Sequence, residues 1–168
     1  MTTPAPTPAA WLAQAATDPQ AVLQRRESSP TQVVALPAGT AWDLVATRLD
    51  LAERVLDVLN PPRRPGAPVL VDACAQLAYF LIPPGRRWTS EIGGARHLGP
   101  GNWLPVPHPD EQSSPYARWL IPPDGTGTLH QINRLRTALA YAFPLYVQEI
   151  EAEIAPTQRL IAALDSTW

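Results

Sequence analysis

The sequence predicts an α/β chain of the α+β kind, a mainly antiparallel sheet of five to seven strands with helices packed on it. Short apolar runs rich in β-branched and aromatic residues recur, each bounded by glycine or proline. The connections between most of them are too short to hold a crossover helix, which makes neighbouring strands antiparallel. Two further stretches carry apolar residues at helical spacing. At 168 residues the chain has room for one domain with a respectable core, and two would be cramped.

Taken in order, residues 1–8 alternate proline with small residues and are expected to be a flexible arm. Residues 9–29 hold two short helices, "PAAWLAQAA" and "DPQAVLQRRES", the second with Asp18 as N-cap and Pro19 at its first position. A core over residues 30–143 follows. "TQVVALP" and "AWDLVATR" read as a hairpin or as two successive strands around Pro37, Ala38 and Gly39. "DLAERVLDVLN" places Leu51, Val55, Leu56, Val58 and Leu59 on one face of a helix capped by Asp50. "PVLVDA" and "QLAYFLI" are strands joined by a turn near 72–75, and "GARHLG", "NWLPVP" and "ARWLI" supply more. "LIPP" occurs twice, as two strand ends stopped alike by Pro-Pro. From Thr128 a helix begins, Pro144 should kink or interrupt it, and residues 144–168 continue as a helical tail.

Composition narrows the function. All 13 basic residues are arginine and the formal charge is -2, so a general attraction to phosphate is lacking and any nucleic-acid surface must be a local arginine patch. Cys74 is the single cysteine, which rules out a disulfide framework and a cysteine-rich zinc site. The start has no basic region ahead of an apolar core, and no run approaches the roughly 20 apolar residues of a membrane span. A cytoplasmic protein without membrane contact is the expectation.

The phrases "VVALPAGTAWDLV", "GAPVLVDACAQLAYFLIPPG", "GGARHLGPGNWLPVPHP" and "RWLIPPDG", in that order, resemble the bifunctional primase-polymerase (prim-pol) domains of actinobacteria and their mobile elements. They look closer still to small actinobacterial proteins carrying a reduced version of the pattern. The resemblance covers about residues 30–140 and implies a prim-pol-like core and a setting related to DNA replication. It also implies a polymerase site built from an Asp-x-Asp pair, a histidine before Tyr-Phe and a later acidic residue, because two metal ions need several carboxylate oxygens. Here the first aspartate falls on Asp43, the second on Val45, the histidine on Leu77 ahead of Tyr79-Phe80, and the later acid near Arg96. One carboxylate alone binds magnesium weakly. Asp43 is therefore expected to be a remnant, held by nearby backbone N–H groups, and no metal and no cofactor are expected. Asp50 or Asp72 would have to bring in the missing oxygens for any residual nucleotide chemistry.

Other candidates are weaker. Arg86, Arg87 and Trp88 set guanidinium groups beside an aromatic ring, a platform for phosphate and base stacking. Arg96 and His97 lie on opposite faces of one strand, so one of them would look onto the open surface of the sheet. The phrase "PPDGTGTL" would offer amides to an anion if a helix began there, or be a turn capped by Thr126 or Thr128. Cys74 is expected to be buried and inert. Trp42, Trp103 and Trp119 read as sheet or core residues, whereas Trp11 and Trp168 must dock onto the domain or project into a partner. With Leu145, Ile150, Ile154, Leu160 and Ile161 striping the tail, they make a protein partner or a homo-oligomer the expected contact. The sequence thus points to a non-catalytic binding or regulatory protein, with nucleotide or nucleic acid as a further ligand. The alternatives are a residual metal-dependent nucleotide-processing enzyme and a structural part of a larger assembly.

Overall fold

The structure is a computed structural model that describes residues 6–29, 31–59, 66–86, 88, 92–111 and 114–165. Its elements run α1 (Pro8–Ala13), α2 (Pro19–Ser28), β1 (Val34–Pro37), β2 (Asp43–Arg48), α3 (Leu49–Leu59), β3 (Val69–Asp72), β4 (Leu77–Ile82), β5 (Ala95–Leu98), β6 (Trp103–Val106), β7 (Ala117–Ile121) and α4 (Ile132–Asp165). Each of the seven expected strand runs forms a strand, but they divide between two sheets. Five make an antiparallel sheet in the order β5-β2-β4-β3-β7, and β1 pairs with β6 in a separate ribbon. β1 and β2 are therefore successive strands and not a hairpin. Gly39, with φ of 99°, turns the chain between them and passes so close to Pro100 that an added Cβ would stand 2.6 Å from its ring.

The five-stranded sheet is covered on both faces. Val45, Val69, Val71, Ala78, Phe80 and Ile82 point to α3 and α4, where they meet Leu51, Val55, Leu135, Leu139 and Ala142. Leu44, Leu70, Leu81 and Trp119 point the other way, to Trp11, Leu12, Leu36, Trp42, Leu104 and Val106. Double burial explains why β4 reads as a nearly continuous apolar run and why β2 is buried at five successive positions, where one-sided sheets alternate. Fully burying one such side chain is worth about 1.5–3 kcal/mol, so these two layers dominate stability.

The amino-terminal helices belong to this assembly. Thr7 caps α1 by accepting from the Ala10 N–H at 3.2 Å, and Asp18 caps α2 through Ala21 at 3.0 Å. Arg26 is buried, and its guanidinium donates to the carbonyls of Pro107 (3.0 Å) and Val106 (3.3 Å), tying α2 to the end of β6. Residues 6–8, expected in the flexible arm, lie against Gly125, where an added Cβ would collide with the Pro6 carbonyl. Trp11, offered as a partner contact, takes the other course and docks in the core.

Four further expectations need correction. Trp103 is exposed, because β6 belongs to the narrow ribbon and turns alternate residues to solvent. Cys74 is exposed in the turn between β3 and β4. α3 begins at Leu49, one residue ahead of the expected cap, so Asp50 sits in its first turn and bonds its own successor's N–H, Leu51, at 3.0 Å. α4 runs unbroken through Pro144 and Pro156, so of the kink or interruption expected at Pro144 the interruption does not occur. Its first turns pack on α3 and the sheet. Gly93 and Gly94 leave room for Phe143, since an added Cβ at Gly93 would collide with that ring.

His130 closes the gap between β4 and α4. Its backbone N–H donates to Leu81 at 2.9 Å, and its ring meets Phe80 edge-on at 5.1 Å. Burial pushes its pKa down to about 4, against the weaker opposing pull of the Pro68 and Ala67 backbone. The unfolded chain takes up this proton near 6.5 and the folded chain resists until about 4. Stability from this site is therefore complete above pH 6.5 and is lost as the pH falls through that window, by up to about 3 kcal/mol. Urea denaturation at neutral pH and near pH 4.5, on the native chain and on His130→Phe, should show the native chain losing more on acidification; equal losses would refute the assignment.

Candidate functional site

Asp43 and His97, both picked from the sequence, meet at the end of β2 beside the edge strand β5. Asp43 opens β2 and points to the same face as Val45, which is paired with His97 across the sheet. His97 Nε2 lies 3.1 Å from Asp43 Oδ2. An ionised carboxylate only accepts, so the imidazole proton sits on Nε2 in this bond. The chain leaves β4 through Pro83-Pro84, and Gly85, with φ of 70°, brings its N–H to the same Oδ2 at 3.0 Å. Gly99 follows β5, where an added Cβ would stand 3.3 Å from the His97 ring and 3.6 Å from Asp43 Oδ2; its carbonyl accepts from both the backbone and the side-chain amide of Asn102. The "PPG" and "GPGN" phrases are thus the two loops that close over Asp43.

Asp43 has no solvent exposure, while the His97 side chain keeps about a quarter of its surface. Both donors fall on Oδ2. Oδ1 is buried without a partner, an arrangement that costs on the order of 1–3 kcal/mol. The expectation of a backbone-held aspartate is met by one N–H, and the second donor is a side chain that the sequence did not connect with it.

The remaining candidates do not converge on this pair. Val45 is wholly buried under the helices, and Leu77 stands at the far end of β4. Asp50 and Asp72 cannot supply the missing oxygens. Asp72 is opposite Leu77, Leu77 is opposite Arg48, and Asp50 follows Arg48, so both lie at the other end of β2, about 17 Å of strand away. Both are also engaged. Asp50 accepts from Arg48 (3.2 Å), Tyr146 (3.0 Å) and Leu51, and Asp72 accepts from Ala75 N–H at 2.9 Å. Burial works against ionisation of Asp50, but these bonds hold its carboxyl below the usual range. Among the described residues, no group of three His, Cys, Asp or Glu side chains could share an ion.

Arg96, on the opposite face from His97 as expected, is exposed at a shallow cleft of about 590 Å³ with Leu77, Tyr79, Leu98 and Asn102. Arg86 is exposed at a second cleft, of about 530 Å³, beside Gln131, Asn133 and Arg136 at the start of α4. Trp88 packs against the helix-side core with its Nε1 buried, so it does not stand as an open stacking platform beside Arg86. Arg87 and Trp168 lie outside the described residues, as does the side chain of Leu160. "PPDGTGTL" is a turn: Asp124 accepts from the Thr126 N–H (2.9 Å) and hydroxyl (2.6 Å), and α4 starts only at Ile132, so no helix end meets those amides. The tail stripe is exposed where the sequence placed it, at Leu145, Ile150, Ile154 and Ile161.

No helix of the described residues is long and apolar enough to cross a membrane. No family model, curated protein or solved structure matches the chain.

Asp43→Ala is expected to lower the free energy of unfolding by about 1–3 kcal/mol, because it strands the Gly85 N–H and the His97 proton. Asp43→Asn, which keeps an acceptor at the same place, should cost less than half of that. Urea melts of the three chains decide the matter. An alanine variant within about 0.5 kcal/mol of the native chain would mean that Asp43 does not hold these loops.

Proposed function

We propose that this chain is a non-catalytic relative of the prim-pol fold that serves as a binding or regulatory module, making protein contacts through the carboxy-terminal half of α4. The observation that carries the reading is the row of large apolar side chains left in water there, Ile150, Ile154 and Ile161, exposed by 36%, 44% and 54%. Exposed rows of this kind on otherwise charged helices mark interaction surfaces. The prim-pol likeness rests on the order of the quoted phrases. The position of Asp43 is consistent with it, at a strand end under glycine-proline loops. The loss of catalysis is supported by the same residue, since its Oδ2 is taken by His97 and the Gly85 N–H and a cation there would find one carboxylate alone.

A second reading is favoured by one observation. A buried carboxylate that orients a partly exposed imidazole is the arrangement of a general base, so His97 would serve a nucleotide-processing reaction.

Calorimetric titration of the chain with a nucleoside triphosphate, in manganese and in magnesium, separates the two. No metal-dependent heat is expected. Clear metal-dependent binding that is lost in His97→Ala would overturn the proposal in favour of the enzyme.

A further inference from the structure

Among the described residues, Tyr146 is the last side chain of α4 buried in the body, and Glu149, paired with Arg54, is the last tied to it by an ion pair. Beyond them the helix continues to Asp165, about 24 Å at 1.5 Å per residue. An isolated helix of that length is marginal in water. Pro156 weakens it further by withdrawing the N–H that would bond to the Ala152 carbonyl. Such a segment needs a covering partner, and its sequence states what kind.

From Val147 onward most large apolar residues follow a seven-residue repeat, with Leu160 beside it in the sequence. Val147, Ile154 and Ile161 occupy the first position of each heptad, and Ile150, Thr157 and, in the sequence, Leu164 occupy the fourth. Phe143 and Val147, earlier on the same seam, pack against the helix-side core, so the seam that docks α4 on its own sheet runs on past the end of the body. β-Branched residues throughout the first position favour two parallel strands. Thr157 lies on this seam between Ile154 and Ile161 and is exposed. In a parallel, in-register pair it meets its own copy, where two hydroxyls satisfy each other; against an apolar layer each would be unpaired. Pro156 falls on the outer side of the repeat, clear of the seam.

The flanking charges agree. In a parallel pair, Glu153 stands across from Gln158 of the second copy, and the position across from Glu151 is that of Tyr146, which is buried in the body. No two carboxylates face each other at these positions, although Glu151 and Glu153 are both acidic. An antiparallel pair centred between Ile150 and Ile154 would set each of these glutamates against itself, which is destabilising.

We infer that residues 148–165 form one strand of a short, parallel, two-stranded coiled coil with a second copy of this chain. This inference rests on the reading of α4 as a protein-contact element and names its partner. The coil is short, so the dimer dissociates on dilution, as interfaces below the usual 1,200–2,000 Å² do.

Sedimentation equilibrium of the full chain, from low micromolar to submillimolar concentration, is expected to show a monomer–dimer equilibrium. Ile154→Asp with Ile161→Asp should weaken it by at least about tenfold. Gln148→Asp with Ala152→Asp adds the same charge on the outer side and should leave the constant within about twofold. In a Cys74→Ser background, Thr157→Cys should oxidise to a covalent dimer, because only a parallel, in-register pair brings these positions together. A monomer at every concentration, a dimer indifferent to the seam variant, or a Thr157→Cys chain that does not cross-link overturns the inference. Circular dichroism and melting of each variant exclude loss of fold as the cause. A monomer that binds a designed helical peptide with isoleucine seams and lysine flanks would retain α4 as a contact element and replace the second copy by a basic partner. A monomer that does not bind this peptide refutes the contact reading as well, and the nucleotide titration tests the non-catalytic part independently.

Discussion

Burial of the five-stranded sheet on both faces is the constraint that organises this molecule. Each face must be covered by something carried in the same chain, and the two coverings come from its two ends. α4 returns over one face beside α3, and α1, α2 and the β1-β6 ribbon close the other. The details of packing follow from this. Phe143 packs where a side chain at Gly93 or Gly94 would stand, and Arg26 lies under the surface with its guanidinium on two carbonyls at the end of β6.

The same burial sets the chemistry of Asp43. At the first position of β2 its side chain has no route to water, so its charge is stabilised by whatever donors the adjacent loops present. The loop after β4 contributes a backbone N–H and the edge strand contributes an imidazole. This geometry is a closed one for a cation and an oriented one for a histidine. It explains why the carboxylate is compatible both with a structural role and with an acid–base unit, and incompatible with recruiting Asp50 or Asp72 from the opposite end of the strand.

α4 belongs to both regimes. Over its first turns an apolar face is consumed by the body, and Tyr146 marks the boundary through its bond to Asp50. Past that point the same face continues without a body beneath it. Helical order there and an apolar seam in water are two demands that a single chain meets poorly alone, which is the physical ground of the proposal that this half of the helix forms an interface.

Local rules made much of this legible in the sequence. The seven strand runs, the Asp18 and Pro19 start of α2 and the helix near residues 50–60 depend on periodicity, turn residues and caps, all of which act over a few positions. The tail stripe was legible for the same reason. What only the tertiary structure decided are the pairings between distant segments: β1 with β6 in place of β2, Trp11 inside and Trp103 outside, Trp88 against the core, and His97 on Asp43 across 54 positions of chain. Each depends on which surfaces are left to cover once the sheet has formed, a competition among far parts of the chain for the same buried area, and such a competition leaves no mark in the spacing of neighbouring residues.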